Sequence, residues 1–340
     1  MSARLRCGLA MTIAAALGAC SRSAPLVLVP TTPLVRSCEG DPQLVTWRRA
    51  ADPSAQLAKW CESVGPPVVI AAPPLHTNVR QLLVVSWNVH VGGGRVKALV
   101  DLILARTPRP PVGEVGVVLI LQETFRAGAA VPERVPDSAV VPAAIRPDRP
   151  TADVGELARS MAMSVAYVPS MRNGPSAGID EREDRGSAIL STETLSGITA
   201  IELPFGKQRR VAVLATVTPA GPAGSPVHVI AGHFDSLVGT RRQAATLAGY
   251  IDELNEIGEP VVLGIDTNAV RGRADGAVHA LEKALAIEPC GDGRTGTWLA
   301  RVDFIFSNLS GFRKACETFD DRFGSDHVPL MLTLDIPPRD

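Results

Sequence analysis

The sequence predicts an α/β (α+β) fold in which two packed mixed β-sheets are flanked by helices. Three observations lead there. Eight short apolar runs, rich in Val, Ile and Leu, have the length and residue types of buried strands. Three longer stretches repeat apolar residues at helical spacing. The gaps between runs include both hairpin-like and crossover-like lengths, which suits two packed sheets with helices outside. The chain has 340 residues, 46% hydrophobic and 20% charged, enough apolar material for a large core.

The N-terminus stands apart from that fold. Arg4 and Arg6 precede the apolar run 9–17, which is too short to span a membrane permanently and suits a secretory signal. The run ends in Leu17-Gly-Ala-Cys20, which resembles the lipobox of bacterial lipoproteins, where the cysteine becomes the lipidated first residue. An ordinary signal-peptidase site nearby, with Cys20 incidental, is the alternative. Residues 1–20 are thus expected to act as a signal and Cys20 to carry lipid. The protein is then an exported, membrane-anchored lipoprotein, periplasmic or at the cell surface. Losing Arg4 and Arg6 takes the formal charge from −1 to −3.

Residues 21–80 contain Pro25, Pro30, Pro33, Pro42, Pro53, Pro66, Pro67, Pro73 and Pro74. They read as a tether followed by a small cysteine-stapled element around Trp47 and Trp60. Apart from Cys7 and Cys20, four cysteines remain, an even number in an oxidising compartment. Of the three pairings, Cys38–Cys61 with Cys290–Cys316 is favoured, because each bond joins positions close in sequence and brackets a loop-rich segment. A zinc site is disfavoured, since no Cys-x-x-Cys or His-x-x-x-His spacing accompanies these cysteines.

Residues 81–340 read as one catalytic domain. Strands are expected at 82–86, 117–121, 188–191, 211–217, 227–231, 261–264, 303–306 and 330–334, and helices at 96–104, 154–163 and 244–257. In the last helix Ala244, Leu247, Ala248, Ile251 and Leu254 share one face. The stretch 127–150 carries five prolines and no clear period; a loop that long is functional or disordered, and this one follows Glu123 directly.

Polar residues follow these runs repeatedly. The motifs are Leu82-Leu-Val-Val-Ser-Trp-Asn88, Val117-Val-Leu-Ile-Leu-Gln-Glu123, Arg185-Gly-Ser-Ala-Ile-Leu190 and Val227-His-Val-Ile-Ala-Gly-His233-Phe-Asp235. Val261-Val-Leu-Gly-Ile-Asp266-Thr-Asn268, Val302-Asp303-Phe-Ile-Phe306 and Gly324-Ser-Asp326-His327 complete the set. Polar groups at successive strand ends converge on one sheet edge, a common place for a site. Asp266 and Asn268, two apart, point to the same side of an extended chain. Carboxylate and amide oxygens are the hard ligands Mg²⁺ prefers. Asp303 can orient a histidine by accepting its N–H.

These segments resemble the endonuclease/exonuclease/phosphatase superfamily, which includes pancreatic-type deoxyribonucleases, apurinic endonucleases, neutral sphingomyelinases and inositol-polyphosphate phosphatases. The resemblance covers about 82–334 and rests on Trp87-Asn88, Gln122-Glu123, Gly232-His233-Phe234, Ile265-Asp266-Thr267-Asn268 and Ser325-Asp326-His327. It implies a four-layer α/β sandwich that hydrolyses phosphoesters with a divalent metal, most often Mg²⁺, with Mn²⁺ also acceptable. By that resemblance Asn88, Glu123 and Asp326 hold the metal, and Asp266 and Asn268 position the attacking water and a phosphate oxygen. His327, paired with Asp303, shares the base role with Asp266; His233 stabilises developing charge or protonates the leaving oxygen. Arg185 either contacts a phosphate or pairs with neighbouring acids. Two departures stand out: Ile265 replaces the family's usual Gly, and Gly232 replaces a Thr. His90, two residues after Asn88, faces the site if the strand continues but is read first as structural; His76, His228 and His279 match no motif.

A nuclease acting on long duplexes shows a basic surface. Here the expected mature charge is −3, and Arg48-Arg49, Lys207-Gln-Arg209-Arg210 and Arg241-Arg242 read as solvated faces. Aromatics are 4%, too few for base-stacking platforms. The expected substrate is a phosphoester, with phosphodiester favoured, from nucleic acid, a lipid headgroup or a small molecule. The membrane is met through the anchor, no protein partner is implied, and a monomer is expected. A non-catalytic scaffold lipoprotein on the same fold is the alternative; it requires that Glu123, Asp266, Asp326, His233 and His327 fail to converge.

Overall fold

The structure, a computed structural model, describes residues 26–28, 38–50, 55–106, 114–133, 147, 150–174, 181–221, 225–236, 239–269, 275–285, 290, 294–296 and 301–336. The expected signal segment and Cys20 lie outside the described residues, as does most of the Pro-rich loop after Glu123. Among the described residues the chain forms, in order, β1 (Leu26–Leu28), β2 (Thr46–Ala50), α1 (Ala55–Glu62), β3 (Val68–Ile70), β4 (Gln81–Asn88), α2 (Val96–Arg106) and β5 (Val115–Ala127). Next come α3 (Val154–Ser160), β6 (Ser164–Arg172), β7 (Glu183–Ser191), β8 (Thr194–Glu202), β9 (Val211–Thr218), β10 (Val227–His233), α4 (Thr240–Glu256) and β11 (Val261–Asp266). The chain closes with α5 (Gly276–Leu285), β12 (Asp303–Ser307), β13 (Arg313–Thr318) and β14 (Leu330–Asp335).

Two seven-stranded mixed sheets result, in the orders β1-β2-β8-β9-β10-β11-β12 and β13-β14-β4-β5-β7-β6-β3. Strand alternation builds the layers. In β4, Leu82 and Val84 face the other sheet with Val118, Val213, Val229 and Val262, while Leu83, Val85 and Trp87 face the helices α2 and α3. On the far side, Ile230, Leu263, Ile265 and Phe304 pack beneath α4 and α5. Ala244, Leu247, Ala248, Ile251 and Leu254 form the buried face of α4, as their spacing predicts. Central strands covered on both faces read as unbroken apolar runs, which is why β4, β5, β10 and β11 stand out in the sequence.

Some elements differ from expectation. The helix expected at 154–163 ends at Ser160, and β6 begins four residues later. Asp153 caps that helix by accepting from Gly155 N and Glu156 N. β6 and β8 escape the apolar pattern because β6 contains Pro169 at a register shift and the first half of β8 is largely exposed. Segment 21–80 departs most. Beyond the expected tether with its cysteine-stapled element, its described residues supply β2, parallel to β8 in one sheet, and β3, antiparallel to β6 in the other. Val45 and Trp47 lie in the core between the sheets. Both strands are short and have prolines nearby, β3 at a sheet edge and β2 next to the edge strand β1, so composition hid them. The bonds Cys38–Cys61 and Cys290–Cys316 are both present.

The two departures from the family pattern are neighbours. Gly232 pairs with Ile265 across β10 and β11, and a β-carbon at Gly232 would sit 2.9 Å from Ile265 Cδ1. Glycine at one position therefore makes room for isoleucine at the other. Gly232→Thr is expected to destabilise by about 1–3 kcal/mol through overpacking. In urea unfolding, Gly232→Thr with Ile265→Gly is expected to show a favourable coupling of roughly 1 kcal/mol or more in a double-mutant cycle. Strict additivity would sink this account.

Candidate active site

The site forms where parallel strand pairs of both sheets end together. β4 and β5 are parallel, with Asn88 opposite Gln122; β10 and β11 are parallel, with His233 opposite Asp266. β12 runs the other way, so its first residue, Asp303, falls opposite Asp266. Beneath the site the sheets approach so closely that a β-carbon at Gly264 would meet Ser86 Oγ at 2.7 Å. Gln122 sits at this approach, with Nε2 3.3 Å from Ser86 Oγ, and is fully buried.

The same polar side chains turn the chain at these strand ends. Asn88 Oδ1 accepts from His90 N (3.0 Å), Asp266 Oδ1 from Asn268 N (2.9 Å) and Ser325 Oγ from His327 N (3.1 Å). His90, Glu123 and Asn268 have φ of 49°, 52° and 50°. Non-glycine residues held there store on the order of 1–3 kcal/mol each, and such residues cluster at functional sites. Ser325 Oγ also donates to Asn88 O (2.6 Å), and Trp87 Nε1 donates to His327 O (3.0 Å). The Ser-Asp-His turn is thereby fastened to the end of β4.

Asn88, Glu123, Arg185, His233, Asp266, Asn268, Asp326 and His327 line one cleft of about 280 Å³. Asp303 lies directly behind His327, its Oδ2 2.8 Å from His327 Nδ1. The convergence that separates an enzyme from a scaffold is therefore met. Asp266 is buried at the centre: Asn88 Nδ2 donates to its Oδ2 (2.9 Å), with His233 Nε2 at 3.5 Å and His327 Nε2 at 4.0 Å. Burial first, then Asp303, pushes its carboxyl up to about 6, against His327, Asn88 and Asn268. Burial opposes charge on His327, but Asp303, Asp266 and Asp326 outweigh it and carry the imidazole up to about 10. His327 is therefore a cation at neutral pH.

His233 has the opposite character. It stands between two N–H groups, with Arg210 Nη1 3.1 Å from Nδ1 and Asn268 Nδ2 2.9 Å from Nε2. An imidazolium would present N–H to N–H on both sides. Burial, then Arg210, His327 and Arg185, holds its pKa well below the ordinary value, so the ring is neutral at pH 7.

Residues suited to a divalent ion line this cleft. Glu123 lines it and its carboxylate has no hydrogen bond or ion pair among the described residues. Asp326 is half-buried nearby, and Asn88 Oδ1 keeps a second lone pair beyond its bond to His90 N. Carboxylate and amide oxygens of this kind fit a hard cation, with His90 Nδ1 beside Asp326 Oδ1 at 3.2 Å. Ligand atoms of Asp266, Asp303 and His327 also lie within 4.8 Å of one another. There, however, Nδ1 of His327 is already committed to Asp303, and its charge supplies the cation.

Two lining residues were read otherwise from sequence. His90, expected to be structural, lines the cleft with Nδ1 3.2 Å from Asp326 Oδ1. Arg210, expected on a solvated face, is 7% exposed and also lines the cleft; its neighbour Arg209 is fully buried against Glu202. Because β9 is antiparallel to β10, the start of β9 shares an edge with the end of β10. Proximity of Arg210 to His233 follows from that pairing, and no local pattern announces it. His76 and His228 pair with Glu193 and Glu259 away from the cleft, and His279 is exposed.

The profile of the Endonuclease/Exonuclease/phosphatase family matches residues 85–327, a span that takes in every site residue above. Curated protein sequences yield no match. Among solved structures the chain is similar to an endonuclease/exonuclease/phosphatase from Beutenbergia cavernae DSM 12333, at 18% identity over 76% of this chain and 72% of that one, with a TM-score of 0.52. It is also similar to the human Nocturnin catalytic domain with bound sulfate anion, at 16% identity over 80% of this chain and 98% of that one, again with a TM-score of 0.52. At these identities the likeness to solved structures is one of fold. By the family match and the site it encloses, this chain belongs to the endonuclease/exonuclease/phosphatase family, whose members are hydrolases of phosphoester bonds.

Proposed function

We propose that this chain is an exported, lipid-anchored hydrolase that uses a divalent metal, Mg²⁺ or failing that Mn²⁺, to cleave a small phosphoester. One observation carries the reading: a buried carboxylate of raised pKa, Asp266, lies between a cationic and a neutral histidine. Pairs of groups whose surroundings drive their pKa values apart mark acid–base chemistry. Glu123, Asp326 and Asn88 are the residues that would hold the metal, and when bound it supplies Lewis-acid stabilisation of the phosphoryl oxygens.

The chain's own groups divide the remaining work. Asp266, largely ionised at neutral pH, takes the proton of the attacking water, which falls to it rather than to His327 because His327 already carries its proton. His327, oriented by Asp303, donates to a phosphoryl oxygen and offsets developing charge. Neutral His233, with Asn268, stabilises the leaving oxygen's side by hydrogen bonding rather than as a cationic acid. A cleft of about 280 Å³ and a mature charge of −3 favour a nucleotide, sugar phosphate or lipid headgroup over a long duplex. The phosphodiester preference rests on the expected anchor, which brings the enzyme near lipid headgroups.

Export is supported by Arg4, Arg6 and Leu17-Gly-Ala-Cys20, and by two disulfides that persist only in oxidising compartments. Cys20→Ser is expected to move the protein from the detergent phase to the aqueous phase on partitioning; an unchanged partition removes the anchor.

Hydrolysis of p-nitrophenyl esters is expected to require added Mg²⁺ or Mn²⁺ and to stop with chelator. Asp266→Asn is expected to lower kcat/KM by about 10²–10⁴, the usual worth of a general base. Metal-independent turnover, or full activity in that variant, would overturn the assignment.

The pH profile carries its own signs. Asp266 acts ionised, so activity falls as pH drops through about 6. His327 acts protonated, so activity falls as pH rises through about 10. Asp303 is the strongest upward influence on His327, so Asp303→Asn is expected to bring the alkaline limb down toward neutrality. An alkaline limb that stays in place counts against the Asp303–His327 pair.

A further inference from the structure

β4 ends in a turn that the backbone resists. His90, Val91 and Gly92 follow one another at φ of 49°, 51° and 73°. Glycine takes that conformation freely, whereas a histidine seldom does and a β-branched valine hardly ever. The surroundings nevertheless enforce it. Val91 is fully buried, Gly94 N donates to Val89 O (3.0 Å), and Ala152 N donates to Gly92 O (2.9 Å). A β-carbon at Gly94 would meet the ring of Trp87 at 2.5 Å, so the turn is pressed onto β4 without slack. Strain held this firmly points to a function for what the turn presents.

The turn touches each residue assigned to the divalent ion. Asn88 Oδ1 accepts from His90 N (3.0 Å), Glu123 O accepts from Gly92 N (3.0 Å), and His90 Nδ1 stands 3.2 Å from Asp326 Oδ1. The last of these is the contact made to a carboxylate. Ser325 Oγ, 3.5 Å from the same oxygen, gives its proton to Asn88 O instead (2.6 Å), and His327 Nε2 is further off at 3.9 Å. His90 is therefore the nearest side-chain N–H to Asp326. It also lies outside Trp87-Asn88, the motif that carries the family resemblance at this strand end.

We propose that His90 is a positioning residue, holding the Asp326 carboxylate in place for the divalent ion that Glu123, Asp326 and Asn88 are assigned to bind. This rests on the metal-dependent reading above. The Asp326 side chain is 35% exposed, so packing alone does not fix it. A carboxylate loose about its own torsions must be ordered when the ion arrives, and an imidazole set against one of its oxygens removes that cost beforehand. The strained turn completes the device. With Val91 anchored in the core, the His90 ring is carried on a backbone that does not give.

The test titrates Mn²⁺ into the purified full chain by calorimetry, without substrate. His90→Gly is expected to weaken binding roughly 10- to 100-fold, the usual cost of losing a group that orients a ligand. His90→Asn, which tolerates positive φ and keeps an N–H donor, is expected to recover part of that loss. Because glycine relieves the strain at φ 49°, the urea midpoint of His90→Gly is expected to stay level or rise, whereas a merely structural histidine would lower it. In the double variant His90→Gly with Asp326→Asn, Mn²⁺ affinity is expected to match that of Asp326→Asn alone, since the imidazole acts through that carboxylate. Hydrolysis of p-nitrophenyl esters by His90→Gly is expected to need more Mn²⁺ and to regain its kcat once the metal saturates. Unchanged Mn²⁺ affinity in His90→Gly, a loss that comes with a lowered urea midpoint, or a full further loss on top of Asp326→Asn overturns the positioning role alone. An unaltered chain that binds no Mn²⁺ overturns the metal reading and the positioning role together. Binding that is equally tight in Asp326→Asn removes Asp326 and His90 from the ion's supports and leaves the metal reading standing.

Discussion

The hydrogen bond from Asn88 to Asp266 joins the two sheets at the bottom of the cleft, and most of the site depends on it. Asn88 ends β4 and Asp266 ends β11, so the bond spans the sandwich. A carboxylate left there without that amide and the Asn268 N–H would be a buried charge with too few donors. With them it stays ionisable, and burial keeps its pKa near neutrality instead of low. Sheet packing and site geometry are therefore one variable. The close approach at Gly264, across which Gln122 Nε2 donates to Gly264 O at 3.5 Å, sets the spacing at which Asn88 meets Asp266.

Two histidines lining one cleft acquire opposite charge states from their neighbours. His327 has a carboxylate behind it and another in front, and holds its proton to about 10. His233 has a guanidinium behind it and an amide N–H in front, and stays neutral. Carboxylates and arginines share the cleft, and Glu123 lines one small cavity with Arg185 and Arg210. A phosphoester suits such a lining, since its anionic oxygens can meet an imidazolium and a guanidinium together.

The N-terminal segment also does structural work. Its β2 extends one sheet and its β3 the other, protecting edges that would otherwise offer unpaired backbone groups. Glu39 pairs with Arg49, Arg49 with Glu202, and Glu202 with Arg209, whose Nη1 reaches Pro169 O on the opposite sheet. Cys38–Cys61 closes this end of the segment. Position on the sandwich, rather than proline content, decides its role.

Much of the fold and site was legible in the sequence. Strands buried on both faces must be continuously apolar, so β4, β5, β10, β11 and β12 announce themselves. The polar residues ending them must turn the chain as well as act, so Asn88, Asp266, Asn268 and Ser325 carry a local signature. What sequence leaves open is whatever depends on antiparallel pairing or on edge strands. Arg210 reaches His233 only because β9 runs against β10, His90 faces the cleft only because the chain turns at positive φ, and β2 and β3 are too short for any periodicity. Charge state belongs to the same class. The sequence by itself determined which residues could titrate and which strands they would follow. Only the tertiary structure decided that Asp266 and His327 are driven up while His233 is driven down, because a pKa is set by burial and by charges brought near from distant parts of the chain.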